Sequence, residues 1–210
     1  MISSEYLMNG LDSIIPNPRC ELIYNKDYEL LIATVLSAQT TDKRVNMVTQ
    51  ELFSNYSLND LAKLPLKTIE DIIKPVGTFK RKAIYIKSIA SSLIKDYNGI
   101  VPNDREYLES LPGVGRKTTN VVISNLFNEP ALAVDTHVYR VSIRLGIANS
   151  NDDVLIVEQK LMNFFPKDKW CRLHHQLVLF GRYTCKSTKP NCLNCPFNSK
   201  CKSNIFKSNK

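Results

Sequence analysis

The sequence predicts an all-α protein, and two observations lead to this fold class. Apolar residues recur at three- and four-residue intervals along most of the chain, and the period-two alternation of strands is almost absent. Helix-capping residues stand before several of these segments, and Gly or Pro follows them. With 43% hydrophobic residues among 210, the chain has enough apolar side chains for one large domain or two small ones.

The predicted helices of the first half follow from this spacing. Tyr28 to Ser37 is apolar on nearly every side, which predicts a helix in the middle of a bundle. After the polar break AQTTD, Thr41 or Asp42 begins a second helix with one apolar face. The stretches SLNDLAKL and KTIEDIIK predict two short helices. Thr68 begins the second of these, with Asp71 three positions later as a variant of the capping box.

Further helices are predicted along the rest of the chain. A long one runs from Phe79 to Tyr97, because Asn98 and Gly99 suit a left-handed cap at its end. A short helix is predicted from about Asp104 to Ser110. The same spacing predicts three helices in the last third, at Thr136 to Leu145, Asp152 to Phe164 and Lys169 to Arg182.

The chain is basic, with 28 Lys and Arg against 20 Asp and Glu. A net charge of +8 makes nucleic acid the first candidate partner, although a merely soluble basic protein has the same composition. The opening stretch MISSEYLMNG lacks a secretion signal, and the longest apolar run, LLIATVLSA, is about half as long as a membrane span. We therefore expect a cytoplasmic protein, nucleoid-associated if it is bacterial, with no membrane role.

The stretch LPGVGRKTTNVV places a glycine turn between two predicted helices. Gly113 and Gly115 allow positive φ and a close approach of the backbone to a ligand, and the helix that starts at Arg116 leaves its first N–H groups unpaired. Such a hairpin binds the phosphates of one nucleic-acid strand without reading its sequence. We expect the DNA contacts of this turn at Gly113, Val114, Gly115 and Arg116.

Lys117 lies in the first turn of the same helix. The positive end of the helix dipole and the neighbouring Arg116 both disfavour an ammonium ion there, so they are expected to lower the lysine pKa from its ordinary value of about 10.4. A neutral amine is a nucleophile. The hairpin alone leaves open the alternative that Lys117 only binds a phosphate.

Asp135, in the stretch ALAVDTHVYR, precedes a predicted helix and is expected to be its N-cap. Capping is compatible with a catalytic role, because a carboxylate can stabilise developing positive charge or assist deprotonation. An amine and a carboxylate beside a phosphate-binding hairpin suit attack on C1′ of a deoxyribose. The target nucleotide must then leave the helical stack, and something must fill the gap.

Four of the six cysteines crowd into one segment with the spacing C-x6-C-x2-C-x5-C, at Cys185, Cys192, Cys195 and Cys201. Thiols this close in a reducing compartment indicate a metal site, either zinc or a [4Fe–4S] cluster. Only one C-x2-C pair is present, which favours the cluster. Lys186 and Lys189 lie between the first two cysteines, on a loop fixed at both ends, and could contact phosphates.

Together these residues resemble the endonuclease III family of DNA glycosylases, within the helix-hairpin-helix superfamily. The resemblance covers nearly the whole chain and rests on LPGVGRKT, VDTHVYR, LLIATVLSAQTTD, FGRYTC and the cysteine spacing. It implies that Lys117 forms a Schiff base, that Asp135 is the catalytic carboxylate, and that the four cysteines hold a [4Fe–4S] cluster.

The resemblance also implies two lobes. A six-helix domain over residues 19–130 carries the hairpin, and a discontinuous helical domain over 1–18 and 131–210 carries the cluster. Gln39 matches the glutamine that enters the space left by a flipped nucleotide, although a contact at the end of a helix is an alternative role. Thr78 stands where relatives often have a larger apolar wedge, so neighbouring Phe79 could contribute.

These features predict a bifunctional DNA glycosylase and abasic-site lyase of base excision repair, which removes oxidised pyrimidines and nicks the strand by β-elimination. Its expected partner is double-stranded DNA with damaged pyrimidines or abasic sites, and it is expected to act as a monomer. One alternative is a monofunctional adenine or thymine mismatch glycosylase, which Lys117 disfavours. The other is a non-catalytic iron–sulfur DNA-binding protein, which the joint presence of Lys117 and Asp135 disfavours.

Overall fold

The computed structural model describes residues 2–203, and its regular elements in that range are all helical, which confirms the all-α prediction. A short 3-10 turn at Lys167–Lys169 leads into the last helix. No helix in the described range is long and apolar enough to cross a membrane. The α-helices are α1 (Ser4–Ile14), α2 (Asp27–Leu36), α3 (Asp42–Asn55), α4 (Leu58–Lys63), α5 (Leu66–Ile73), α6 (Phe79–Tyr97), α7 (Arg105–Ser110), α8 (Arg116–Leu126), α9 (Thr136–Leu145), α10 (Val154–Phe164) and α11 (Trp170–Tyr183).

The chain divides into two compact units. The first, which we call the hairpin unit, spans Cys20–Phe127 and contains α2 to α8. The second, which we call the cysteine unit, contains α1 together with α9, α10 and α11. It consists of residues 2–19 and 128–203 of the described range. The two chain ends therefore contribute to one unit. Residue 1 and residues 204–210, which belong to the predicted cluster domain, lie outside the described range.

Helix α2 is the centre of the hairpin unit, as its apolar sequence predicts. Every residue from Tyr28 to Leu36 is buried, and the helix packs against α3, α6 and α8. Its C-terminus, the N-terminus of α6 and the N-terminus of α8 carry the site residues of this unit. Burial of apolar surface on all sides therefore fixes the helix that leads into Gln39.

The cysteine unit has its own core, built from α1, α9, α10, α11 and one residue of the cysteine segment. Phe197, between the third and fourth cysteines, is fully buried and lies 5.4 Å from the Phe180 ring of α11, centroid to centroid. Gly10 of α1 has no room for a Cβ, because that atom would collide with the Phe197 ring. Packing of Phe197 thus anchors the cysteine segment to the core of this unit.

Some predicted helix starts are wrong. Helix α5 begins at Leu66 after Pro65, not at Thr68, because the Pro65 carbonyl accepts the first helical bond, from the Thr68 N–H at 3.0 Å. Asp71 pairs with Lys67 instead of closing a capping box. Helix α10 begins after Asp153, since Asp152 accepts a hydrogen bond from the Asn149 N–H and pairs with Lys160. By contrast, α6 and α9 have the predicted bounds, and Asn98 adopts the expected left-handed cap conformation.

Candidate active site and metal centre

The glycine turn between α7 and α8 is a tight connection whose two glycines differ. Gly113 has φ +79°, and a Cβ there would collide with the Tyr85 ring of α6, so only glycine fits. Gly115 is the N-cap of α8 in an extended conformation, exposed and with open space where a Cβ would lie. Glycine permits a positive φ at both positions, but only Gly113 adopts one.

The turn is held from inside the hairpin unit. The Val114 side chain is buried, and its N–H donates to the Leu111 carbonyl at 3.1 Å. Val114 therefore supports the structure of the turn, and its predicted contact with DNA stays a prediction. Arg105 of α7 donates to Oδ1 of the buried Asn120 of α8 at 2.8 Å, which fixes the angle between the two helices.

Lys117 is the second residue of α8, and its side chain is exposed. Within residues 2–203, no hydrogen bond or ion pair engages its ammonium group. The first intrahelical bond of α8 runs from the Thr119 N–H to the Gly115 carbonyl at 3.0 Å. The earlier N–H groups have no carbonyl within the helix, and a glycine cap has no side chain to satisfy them. Lys117 thus stands beside a set of backbone donors suited to an anion.

Gln39 and Thr78 lie in two loops of the hairpin unit that the structure brings together. Gln39 follows α2, Thr78 precedes α6, and both are exposed with φ +56°. A Cβ at Gly77 would lie 3.9 Å from the Gln39 carbonyl oxygen, so the loops are neighbours. Left-handed backbone is unfavourable for residues other than glycine, and most of all for a β-branched threonine. Such strain persists only where the surroundings enforce it.

Asp135 caps α9 in the cysteine unit, as predicted. Its Oδ1 accepts the N–H groups of His137 and Val138 at 2.9 and 2.8 Å, and the side chain is half-buried. Both bonds end on Oδ1, which leaves Oδ2 outside the cap. Buried residues precede and follow Asp135 along the chain, so its backbone is fixed by the core. Lys117 and Asp135 belong to different units.

The four cysteines of the predicted metal site line one cavity of about 390 Å³ in the cysteine unit, together with Phe180, Arg144 and Lys189. All four are half-buried and unpaired by disulfides. Burial raises the pKa of the Cys195 thiol to about 11, and the charges of Cys185, Cys201 and Cys192 act in the same direction. Within the described residues, no three His, Cys, Asp or Glu side chains are grouped to hold a single metal ion.

Two arginines of α9, which the sequence analysis missed, hold the loop after the first cysteine. Arg140 donates to the carbonyls of Gly181 and Cys185 at 2.8 and 3.2 Å. Arg144 donates to the Lys186 and Ser187 carbonyls at 2.6 and 3.0 Å. Their four-residue spacing, which puts both on one helix face, was the available signal.

The two predicted loop lysines are displayed as expected. Lys186 and Lys189 are both exposed, and Lys189 has φ +49°. Since Lys189 also lines the cavity, the loop places a cation next to the thiols.

Comparison with known proteins supplies the observation that decides the family. The model for HhH-GPD superfamily base excision DNA repair proteins matches residues 32–167. Endonuclease III of Bacillus subtilis (strain 168) is 46% identical over 199 residues, which is 94% of this chain and 91% of that protein. The chain belongs to the endonuclease III family. The resemblance expected from the motifs is therefore confirmed.

Solved structures of endonuclease III have the same fold over the whole length. A non-covalent endonuclease III–DNA complex matches with a TM-score of 0.94 at 44% identity, covering 100% of both chains. A trapped endonuclease III–DNA covalent intermediate with an estranged adenine matches with a TM-score of 0.92 at 44% identity, covering 99% of this chain and 100% of that one. The part of this chain that matches the family model includes Gln39, Thr78, Lys117 and Asp135. It ends before the four cysteines.

Proposed function

We propose that this chain releases oxidised pyrimidines from double-stranded DNA, with Lys117 as the nucleophile and Asp135 as the assisting carboxylate. By its family, the chain is a bifunctional DNA glycosylase and abasic-site lyase of base excision repair. The proposal adds which residues act and on which lesions. The exposed Lys117 amine, with no partner among residues 2–203 and beside the open N-terminus of α8, is the observation that carries it.

The reaction begins when the neutral Lys117 amine attacks C1′ of the damaged nucleotide. The C1′–N bond breaks, and the base leaves with its electron pair and takes up a proton. Ring opening at O4′ then gives the Schiff base between C1′ and the lysine nitrogen. Loss of the C2′ proton expels the 3′ phosphate, which nicks the strand, and water finally releases the enzyme. One amine thus serves both base removal and strand cleavage.

Asp135 is proposed to accept a proton from the attacking amine and to stabilise positive charge on the sugar. A carboxylate suits both tasks, because positive charge develops on the sugar as the base departs. The Oδ2 atom, which the helix cap does not use, is free for this role. The α9 cap holds Asp135 in one conformation, so the carboxylate needs no reorganisation during the reaction.

DNA binding is proposed to depend on backbone donors and basic side chains. The N-terminus of α8 offers N–H groups to a phosphate, Arg116 adds a charge, and the net charge of +8 attracts the polyanion. Lys186 and Lys189 add contacts from the cysteine loop. Gln39 and Thr78 are proposed to fill the space of the flipped nucleotide. The complexes of DNA with endonuclease III relatives support this interpretation.

The four cysteines are proposed to hold a [4Fe–4S] cluster, each thiolate ligating one iron. The cavity they line, about 390 Å³, is far larger than a single ion needs, so the residues present fit the larger group. The cluster would supply a rigid four-point anchor for the loop that carries Lys186 and Lys189. In this chain Phe197 and the two arginines of α9 hold the same segment from the protein side.

Borohydride trapping tests the nucleophile. The native protein should form a covalent adduct with a duplex that contains an abasic site, and Lys117→Gln should form none, because the amide cannot make a Schiff base. Lys95→Gln removes the same charge from an exposed position at the end of α6 and should trap like the native protein. An adduct with Lys117→Gln would overturn the assignment. Release of thymine glycol by the native protein tests the substrate class.

A further inference from the structure

Lys82 of α6 is a buried cation that the proposed mechanism does not use. It lies on the apolar face of the helix and is only 3% exposed. Charged side chains are almost never fully buried unless they are paired. Within residues 2–203 no carboxylate pairs with Lys82. Its ammonium group therefore needs another set of acceptors, and those acceptors indicate its role.

The acceptors surround Gln39. The Lys82 ammonium donates to the carbonyls of Leu36 and Ala38 at 2.9 and 2.6 Å, and lies 3.5 Å from Thr40 Oγ1. Carbonyls at a helix C-terminus lack intrahelical partners and favour a cation. Lys82 thus holds the end of α2 and the residues on both sides of Gln39. Gln39 itself is not one of the residues that Lys82 contacts.

The second loop leads directly into the helix that carries Lys82. The Lys82 backbone N–H makes the ordinary first-turn bond of α6 to the Thr78 carbonyl at 3.1 Å, which any residue at this position would make. The Thr78 hydroxyl donates to the Gly77 carbonyl at 2.7 Å, and Gly77 adjoins the Gln39 carbonyl. The Lys82 side chain therefore holds the loop of Gln39 directly, and the loop of Thr78 lies against that loop at Gly77; both Gln39 and Thr78 adopt left-handed backbone.

We propose that Lys82 is a positioning residue that holds Gln39 and Thr78 in the conformation that fills the gap in the DNA stack. This inference rests on the proposed function. Burial, and after it the charge of Arg81, lowers the pKa of Lys82, so its position carries an electrostatic cost. A residue that only filled the core would be better served by an apolar side chain.

The test compares two substrates of one sequence, a duplex with an abasic site and the corresponding single strand. A flipped nucleotide leaves a gap in a duplex but not in a single strand, so only the duplex needs the filling residues. Lys82→Met keeps the length of the side chain and removes the donor. We expect it to slow single-turnover cleavage of the duplex about tenfold or more and to change cleavage of the single strand less than about twofold.

Lys87→Met is the matched control. Lys87 lies on the same helix, and its ammonium donates to the Leu64 carbonyl after α4 at 2.7 Å. The control removes the same kind of bond far from the two loops. It should leave both cleavage rates near native, whatever it does to the melting temperature.

A double-mutant cycle shows whether Lys82 acts through Gln39. If it does, Lys82→Met combined with Gln39→Ala should slow duplex cleavage clearly less than the product of the two single slowings, because both changes act in part through Gln39. Additive losses, equal slowing of both substrates, or a native duplex rate for Lys82→Met would overturn the inference. Failure of the proposed function is distinguishable, because the native protein would then cleave neither substrate, or Lys117→Gln would cleave both.

Discussion

Asp135 combines a structural and a chemical role in one carboxylate. Its Oδ1 takes both capping bonds of α9, and Oδ2 is outside the cap. Position in the sequence was enough to predict the cap, because capping depends on residues within one helical turn. The catalytic role of Asp135 stays a prediction. It requires a negatively charged carboxylate, whereas the cap requires only an oxygen that accepts hydrogen bonds.

Two substitutions separate these roles. Asp135→Asn retains an oxygen that can accept the capping bonds, so it should keep the native melting temperature and slow base release strongly. Asp135→Ala should slow base release as well and also lose about 1 kcal/mol of stability, because α9 loses its cap. Thermal unfolding and single-turnover base release measure the two effects. Native base release by Asp135→Asn would contradict the catalytic role.

Helices α6 and α7 are joined by a tyrosine contact that the sequence did not reveal. The Tyr107 hydroxyl donates to Asp96 Oδ2 at 3.1 Å, and the Tyr97 and Tyr107 rings lie 4.5 Å apart, centroid to centroid. Burial, and after it the bond to Asp96, raises the pKa of Tyr107 to about 12. Since α7 leads into the glycine turn, this contact supports the hairpin that carries Lys117.

The raised pKa predicts a loss of stability in alkali. Above about pH 10 the unfolded chain releases the Tyr107 proton while the folded protein retains it until about pH 12, so stability falls as pH rises through this window. Tyr107→Phe cannot titrate. Urea unfolding at about pH 9 and about pH 11 should show the stability advantage of the native protein over Tyr107→Phe shrinking. A constant difference would contradict the assigned cause.

At the scale of the whole molecule, the two ends of the chain build the cysteine unit. Helix α1 packs against α11, where Arg172 and Gln176 donate to Asp12 at 2.6 and 2.8 Å. The resemblance to the family placed residues 1–18 in this domain, but no sequence pattern predicted α1. Its cap is Ser3, and only Leu7 and Leu11 are buried, so its apolar pattern is short.

The metal centre yields a prediction at the same scale. The purified protein should be brown and contain about four irons per chain, as expected if the four thiolates ligate the proposed [4Fe–4S] cluster. Cys192→Ala should lose iron, and trypsin should then cut faster after Lys186, since the loop loses an anchor. Cys171→Ala, outside the cavity, is the control and should keep its iron. A colourless protein with one zinc would contradict the cluster.

Local features of the chain were predictable from the sequence. The bounds of α6 and α9, the Asp135 cap and the glycine turn depend on neighbours a few residues apart, and the thiol spacing is visible in the letters. The motifs around Lys117 also identified the family, because each combines residue types that fold or chemistry requires. The predicted starts of α5 and α10 were wrong, because neighbouring residues, Pro65 and Asp153, occupy the N-cap positions.

The sequence by itself determined the helical architecture, the family and the candidate nucleophile, because these follow from periodicity, caps and short motifs. Only the tertiary structure decided that Lys82 holds the loop of Gln39, 44 to 46 positions away along the chain. It alone placed the α9 arginines on the carbonyls of Cys185, Lys186 and Ser187, more than 40 positions distant. The physical reason is that a buried charge takes whichever acceptors the packed core brings to it, and sequence spacing does not encode that choice.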